Sequence, residues 1–274
     1  MQPYTLLCED SKMENPRSLY GCFSLGPLSA GQSLTIGNAL RRTLLAELPG
    51  FAISAVEIDG VAHEYSTLQG VRDSILDILL NLKEVVLTSP DFYMAHQPDS
   101  QVLLTTAETK NSECGPWQTP LIGYLQARGP GVVRAADLKL PVGIQCVDPE
   151  QYITTLSEDG LLNMKFQIEL GKGYRYASSN LKDWSGAETS SLSRISKERS
   201  CLLLDTVFMP VLKVNFTIEQ VSSKTLRQST EMLKMELWTN GSVHPRQALY
   251  QGLNHLAYLF QDLQKLKMLT NPLI

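Results

Sequence analysis

The feature that most constrains this fold is the last long apolar period of the chain. Pro245 suits the first position of a helix. Beyond it, Leu249, Gly252, Leu256, Leu259, Leu263 and Leu266 are spaced 3, 4, 3, 4 and 3 residues apart, a heptad-like seam. Leu253, Ala257 and Phe260 widen that seam, so the helix has more apolar surface than a single stripe needs. Such a helix is either buried in its own core or keeps a face for another chain.

A second amphipathic stretch is "TIGNALRRTLLAELPG", Thr35 to Gly50. Ile36, Leu40, Leu44 and Leu48 recur at every fourth position and form one helical stripe. Thr35 suits an N-cap or first-turn position, and Pro49-Gly50 ends the helix. Upstream, "YGCFSLGPLSAGQ" reads as a strand, a Gly-Pro turn and the helix entry. Downstream, "FAISAVEIDG" reads as a strand closing at Asp59-Gly60. "GVRDSILDILLNLKEVVL" then predicts a helix with Val71, Ile75, Ile78, Leu79, Leu82 and Val86 inward, and with Arg72, Asp73, Asp77, Asn81 and Glu84 facing away.

Residues 89–119 are polar and proline-bearing, which reads as loops around short strands. "GPGVVRAADLKLP" is a turn followed by a strand or short helix. "GLLNMKFQIELGKGYRYA" has strand alternation at Met164, Phe166, Ile168 and Leu170, and its "GKGY" reads as a β-turn or bulge. A Ser-rich stretch over 178–200 reads as a surface loop. "LLLDTVFMPVLKVNFTIEQV" and "TEMLKMELWTNGSV" are two more strands, the second running into an Asn-Gly turn.

At 274 residues the chain is long for one compact domain, and two are expected. No apolar run approaches the length needed to span a bilayer. A net charge of −4 argues against a protein whose main task is neutralising phosphates. The five cysteines, Cys8, Cys22, Cys114, Cys146 and Cys201, have no C-x-x-C spacing and read as buried free thiols of a reducing compartment. The N-terminus resembles neither a secretory nor an organellar leader, so two glycosylation sequons, at Asn215 and Asn240, are read as chance.

Catalytic motifs with a physical rationale are missing: no phosphate loop, no nucleophile elbow and no zinc helix. His63-Glu64 comes nearest to the last, but no histidine follows at the required spacing. A stand-alone hydrolase or transferase using His63 and Glu64 would need a cleft that collects them. Arg41-Arg42, in the middle of the first helix, point elsewhere. Gly37 and Ala39 make one side of that helix thin, and a guanidinium beside a thin, partly apolar patch is a typical interface anchor. Nucleic acid would call for more basic residues along the same face, and the neighbours supply none. The charge pattern favours a protein partner.

Together these residues are familiar. The run from Leu34 to Leu87, "LTIGNALRRTLLAELPG…NLKEVVL", closely resembles the N-terminal domain of the bacterial-type RNA polymerase α subunit. "GPGVVRAADL", "LNMKFQIELGKGY", "LDTVFMPVLKVNFTIE" and "MELWTNGSVHPRQAL" extend the resemblance in the right order over nearly the whole chain. "ENPRSLYGCF" and "VFMPVLKVNFTIE" resemble the cyanobacterial and plastid branch.

The resemblance implies an α+β fold of two domains. A discontinuous dimerisation domain, an antiparallel sheet plus two helices from residues 1–49 and 175–274, would carry an inserted mainly-β domain at 50–174. The twin subunit would be met by Ile36, Leu40, Leu44, Leu249, Leu256, Leu259, Phe260 and Leu263. The homodimer would then receive the β and β′ subunits. The family's β-contacting arginine falls on Arg42, with Leu45 one turn on and Arg41 beside it, and a lysine of the second helix falls on Lys83. Segments used against the large subunits coincide with "HEYST" (His63, Glu64, Ser66), "GKGY" (Lys172) and "LDTVFMPV" (Asp205, Pro210). None of these residues does chemistry. No cofactor is expected on this chain, and the polymerase's magnesium would belong to β′. Sigma factor would be met only indirectly, and no membrane is involved.

The family usually continues into a helical domain that binds upstream promoter DNA. This chain ends at "KLKMLTNPLI", directly after the dimer helix, so little or no direct DNA contact is expected. The implied location is the plastid stroma for a plastid-encoded enzyme, with a bacterial cytoplasm as the alternative.

Overall fold

The computed structural model describes residues 4–90, 92, 121–177, 201–221 and 230–265. The segments 93–119 and 178–200, with Cys114 and Leu266, lie outside them. In chain order the elements are β1 (Thr5–Asn15), β2 (Ser18–Ser29), α1 (Gln32–Ala46), β3 (Pro49–Ile58), α2 (Ile75–Lys83) and β4 (Leu87–Thr88). Then come β5 (Leu121–Arg128), β6 (Gly131–Arg134), a short 3-10 turn, β7 (Gln145–Cys146), β8 (Tyr152–Leu156) and β9 (Leu161–Lys172). The chain finishes with β10 (Tyr174–Arg175), β11 (Cys201–Leu203), β12 (Thr206–Val207), β13 (Val211–Val221), β14 (Thr230–Thr239) and α3 (Pro245–Lys265). The fold class is α+β.

A four-stranded antiparallel sheet, in the order β1-β2-β14-β13, joins the two ends of the chain. Alternation along β14 sends Leu233, Met235, Leu237 and Thr239 inward, while Lys234, Glu236 and Trp238 stay on the outer face. Opposite them, Phe23 pairs with Met235, and Val214 and Phe216 of β13 continue the inner face. Helices α1 and α3 cover that face and cross where Gly252 meets Leu44. Leu40, Leu44, Ala248 and Leu249 are fully enclosed there.

The predicted Gly-Pro turn does not form. β2 runs straight through Gly26-Pro27, and the chain turns later, where Gly31 (φ 85°) sits at the N-cap of α1. The reason lies in the register: Leu25 faces Leu233 and Leu28 faces Glu231, so Gly26-Pro27 oppose only Met232 in a bulge. A bulge tolerates the missing proline N–H. Thr35 takes a first-turn place, its hydroxyl donating to the Gly31 carbonyl.

A second sheet, β5-β9-β3-β4-β7, is centred on β3, with β11 pairing on β3 as well. Here β3 is buried on both faces rather than alternating, because Ala52, Ser54 and Ala55 are small enough to be covered on the side away from Phe51 and Ile53. The chain passes between the two sheets twice, at Leu48–Gly50 going out and at Phe208–Val211 coming back. A Cβ on Gly50 would lie 2.1 Å from the Phe208 carbonyl oxygen, so the two crossings run backbone against backbone. Because β11 pairs with β3, the second sheet takes chain from beyond residue 174, and β12 pairs with β10 in a separate two-stranded ribbon.

Helix α2 is shorter than its apolar period suggested. Ser74 caps it in a reciprocal capping box with Asp77, which leaves Val71 outside in a bridge to Leu156. Two side chains expected to face away do not. Asp73 accepts hydrogen bonds from the Tyr152 hydroxyl (2.5 Å), the Thr154 hydroxyl (2.9 Å) and the Thr155 amide (3.1 Å). Asn81 donates its side-chain amide to the Ile153 carbonyl at 2.8 Å. Both tie α2 to β8. Of the described cysteines, all free, only Cys22 is buried; Cys8 is exposed on the edge strand, and Cys146 and Cys201 are half-buried.

Candidate protein-docking surfaces

Two surfaces carry the candidate residues, one on each side of the crossing at Leu48. The first is the outer face of α1. With Leu40, Thr43 and Leu44 turned to the core, helical spacing sends Arg41 and Arg42 to solvent, and Leu45 lies half-buried against the core edge. Among the described residues neither guanidinium has an ion pair or hydrogen bond, so both forks remain free for a carboxylate. The thin side of the helix serves a different purpose from the one its sequence suggested. A Cβ on Gly37 would meet the Phe216 ring at 2.8 Å and Leu233 at 3.2 Å, so that notch is filled by the protein's own sheet. Just past the helix, Glu47 receives Lys172 at 3.6 Å and His255 at 3.9 Å, linking α1 to β9 and α3.

The second surface gathers at the end of α2. Lys83 lies 3.8 Å from the Asp205 carboxylate and 5.6 Å from the centre of the Tyr174 ring. The backbone N–H of Ala177, at 2.7 Å, holds the Asp205 carboxyl below its ordinary range, helped by the Tyr174 hydroxyl and by Lys83. Desolvation and that same carboxylate push the Tyr174 phenol up. Beside them Arg175 pairs with Glu169 and lies 5.2 Å over the Phe208 ring. Glu169 also accepts from Ser54 (2.7 Å) and Gln167 (2.8 Å). Tyr174, Tyr176 and Val207 are left facing water.

Of the remaining candidates, His63, Glu64 and Ser66 form an open turn. Ser66 Oγ accepts from the His63 amide at 3.2 Å and lies 3.3 Å from its Nδ1, and His63 and Glu64 are exposed. Lys172 is exposed, and Pro210 is buried at the return crossing. Among the described residues no group of three His, Cys, Asp or Glu side chains could hold a metal ion, and no helix is long and apolar enough to cross a membrane.

The predicted twin-facing residues divide sharply. Leu40, Leu44 and Leu249 are sealed inside the protein's own core and present nothing to a partner, which corrects the expectation that they form the contact. Ile36 and Leu256 are half-buried, whereas Leu259, Phe260 and Leu263 are 48%, 62% and 52% exposed. Sequence reasoning missed Tyr258 on α3 and Leu34 on α1, both also exposed. It missed the Tyr174–Tyr176 pair as well, although the alternation in "GYRYA" was a usable signal.

A sheet-and-helix unit crossed twice by the chain carries a second β-rich unit. A family model described as the RNA polymerase Rpb3/RpoA insert domain matches residues 56–209. The DNA-directed RNA polymerase subunit alpha of Chlorokybus atmophyticus is 40% identical over 271 residues, covering 98% of this chain and 73% of that protein. That of Gloeobacter violaceus is 41% identical over 266 residues (97% and 72%), and that of Tetradesmus obliquus 35% over 359 (98% and 70%). The chain belongs to the family of DNA-directed RNA polymerase α subunits. It is therefore a subunit of a nucleotidyltransferase complex that assembles with other polymerase subunits, and its relatives come from plastids and cyanobacteria.

Proposed function

We propose that this chain is the assembly scaffold of a plastid polymerase, working in the stroma: it pairs with a second copy of itself and the pair then receives β and β′. The observation that carries the reading is the free end of α3, where Tyr258, Leu259, Phe260 and Leu263 stand clear of the chain's own core. Burying a leucine or phenylalanine side chain contributes about 1.5–3 kcal/mol, so the three of them, each met twice in a symmetric contact, can hold a dimer.

In this reading the first unit, with both ends of the chain, is the dimerisation unit, and the inserted unit leaves it near residue 49. The pairing of β11 and β12 supports a return near residue 209 rather than 174. Arg42 and Leu45, with Arg41 beside them, meet β. Lys83, Asp205 and the tyrosines at the end of α2 form the inserted unit's share of the large-subunit contact, with His63, Glu64, Ser66 and Lys172 at its margins. The two arginines are isolated rather than part of a basic stripe, which supports a carboxylate-bearing protein over DNA. The chain supplies position and no chemical step, and magnesium belongs to β′.

The test is capture of purified β by the full-length chain. Arg42→Ala is expected to stay a folded dimer and lose capture, because only an exposed guanidinium is removed. Normal capture by that variant would defeat the assignment of Arg42.

A further inference from the structure

The motif "ENPRSLYGCF" spans the end of β1 and the start of β2. Its Pro16-Arg17 forms the tip of the β1–β2 hairpin, between the paired Asn15 and Ser18. This tip belongs to the first unit; Pro16 is exposed, but the Arg17 side chain reaches across to the second unit. Arg17 Nη2 donates to the Glu84 carbonyl at 2.9 Å, and Nη1 lies 3.9 Å from the Glu84 carboxylate. Glu84 is the C-cap of α2, where carbonyls lack helical partners and the helix dipole favours a cation.

The same tip is seated from the other side. Gly241, at φ 89°, lets the turn after β14 close on it: a Cβ there would lie 2.0 Å from the Pro16 carbonyl oxygen and 2.7 Å from Val147. One residue on, the Ser242 carbonyl accepts from the Thr88 hydroxyl at 2.7 Å, which fixes that turn to β4. The hairpin tip is thus wedged between a turn of the first unit and the end of a helix of the second. That helix end carries Lys83.

We propose that the Pro16-Arg17 tip is a clamp between the two units, and that Arg17 is a positioning residue for large-subunit capture. The inference rests on the docking reading above, in which Arg42 lies on one unit and Lys83 on the other. A partner that engages both gains from the pair only if their separation is held, because a loose second anchor adds little to the first. Arg17 is half-exposed, so its bond adds little to the fold; its effect falls on the orientation of α2. Lys172 with Glu47 and Thr88 with Ser242 keep the units joined without it.

The experiment uses full-length dimers carrying Arg17→Ala, Arg17→Lys, Glu84→Ala, Arg42→Ala and Lys83→Ala, titrated against purified β, with amide hydrogen exchange followed in parallel. Arg17→Ala is expected to weaken capture about two- to tenfold, the range for one partly exposed charge-assisted bond. Exchange should rise at residues 84–88 and stay unchanged in α1. Arg17→Lys should recover most of the loss. Glu84→Ala should stay close to wild type, since the carbonyl that accepts the bond remains.

Wild-type capture by Arg17→Ala, alongside lost capture by Arg42→Ala and Lys83→Ala, overturns the clamp and leaves the docking reading standing. Weakened capture with no change in exchange at 84–88 also overturns it, since Arg17 would then touch β directly. Normal capture by Arg42→Ala and Lys83→Ala overturns both.

Discussion

The two halves of α3 share one leucine period and have opposite surroundings. Ala248, Leu249 and Gly252 are closed off by α1 and the first sheet, while Leu259, Phe260 and Leu263, two to three turns on, stand in water. An apolar period therefore reports that a face needs covering and is silent on what covers it. The first sheet is long enough to shelter only the opening turns of a helix 21 residues long. What lies beyond is apolar surface that the described residues leave open.

The same substitution at two positions is the strongest way to break this contrast. Leu249→Ala is expected to destabilise the chain by about 2–5 kcal/mol, as for any large-to-small change in a closed core, and calorimetry would register a clear fall in Tm. Leu259→Ala should change the stability of the folded chain by no more than about 0.5 kcal/mol while weakening self-association. Equal losses at both positions would mean that the two halves do not differ.

Asp73 sharpens the contrast from the other side, as a residue whose spacing predicted exposure. Burial raises its pKa, but hydrogen bonds from Tyr152, Thr154 and the Thr155 amide outweigh that and leave it below the ordinary value of 3.8. A carboxyl with a depressed folded pKa contributes stability that is present above its unfolded value and lost as pH falls through the folded one. Wild type should therefore lose stability on acidification below about pH 4. Asp73→Asn should be less stable by about 1–3 kcal/mol at neutral pH and lack that part of the acid dependence, as urea melts at several pH values would reveal. A smaller effect is expected at Gly37. In Gly37→Ala the clash with Phe216 costs about 1–3 kcal/mol and the gain in helix propensity offsets about 1, for a modest net loss in Tm.

These positions also mark what the sequence made legible. Helix α1, β9 and the start of α3 at Pro245 follow from local period and capping, and the structure keeps them. The non-local partners did not follow. Asp73 looked solvated because Tyr152 lies 79 residues away, and Gly37 looked open because Phe216 arrives from a strand near the other end of the chain. The Arg41 and Arg42 exposure could be read from the helix, since it depends only on which face Leu40 and Leu44 take. The patch around Lys83 could not, because β10, β12 and the Asp205 loop are assembled by pairing. Without the resemblance to a known family, the sequence would have yielded two helices in search of partners and little about which partner each one meets.

Sedimentation equilibrium of the full-length chain, wild type beside Leu259→Asp, tests the central claim most directly. The expected result is a wild-type dimer and a Leu259→Asp monomer whose far-ultraviolet circular dichroism matches wild type. A wild-type monomer, or a dimer that survives the buried charge, would contradict it.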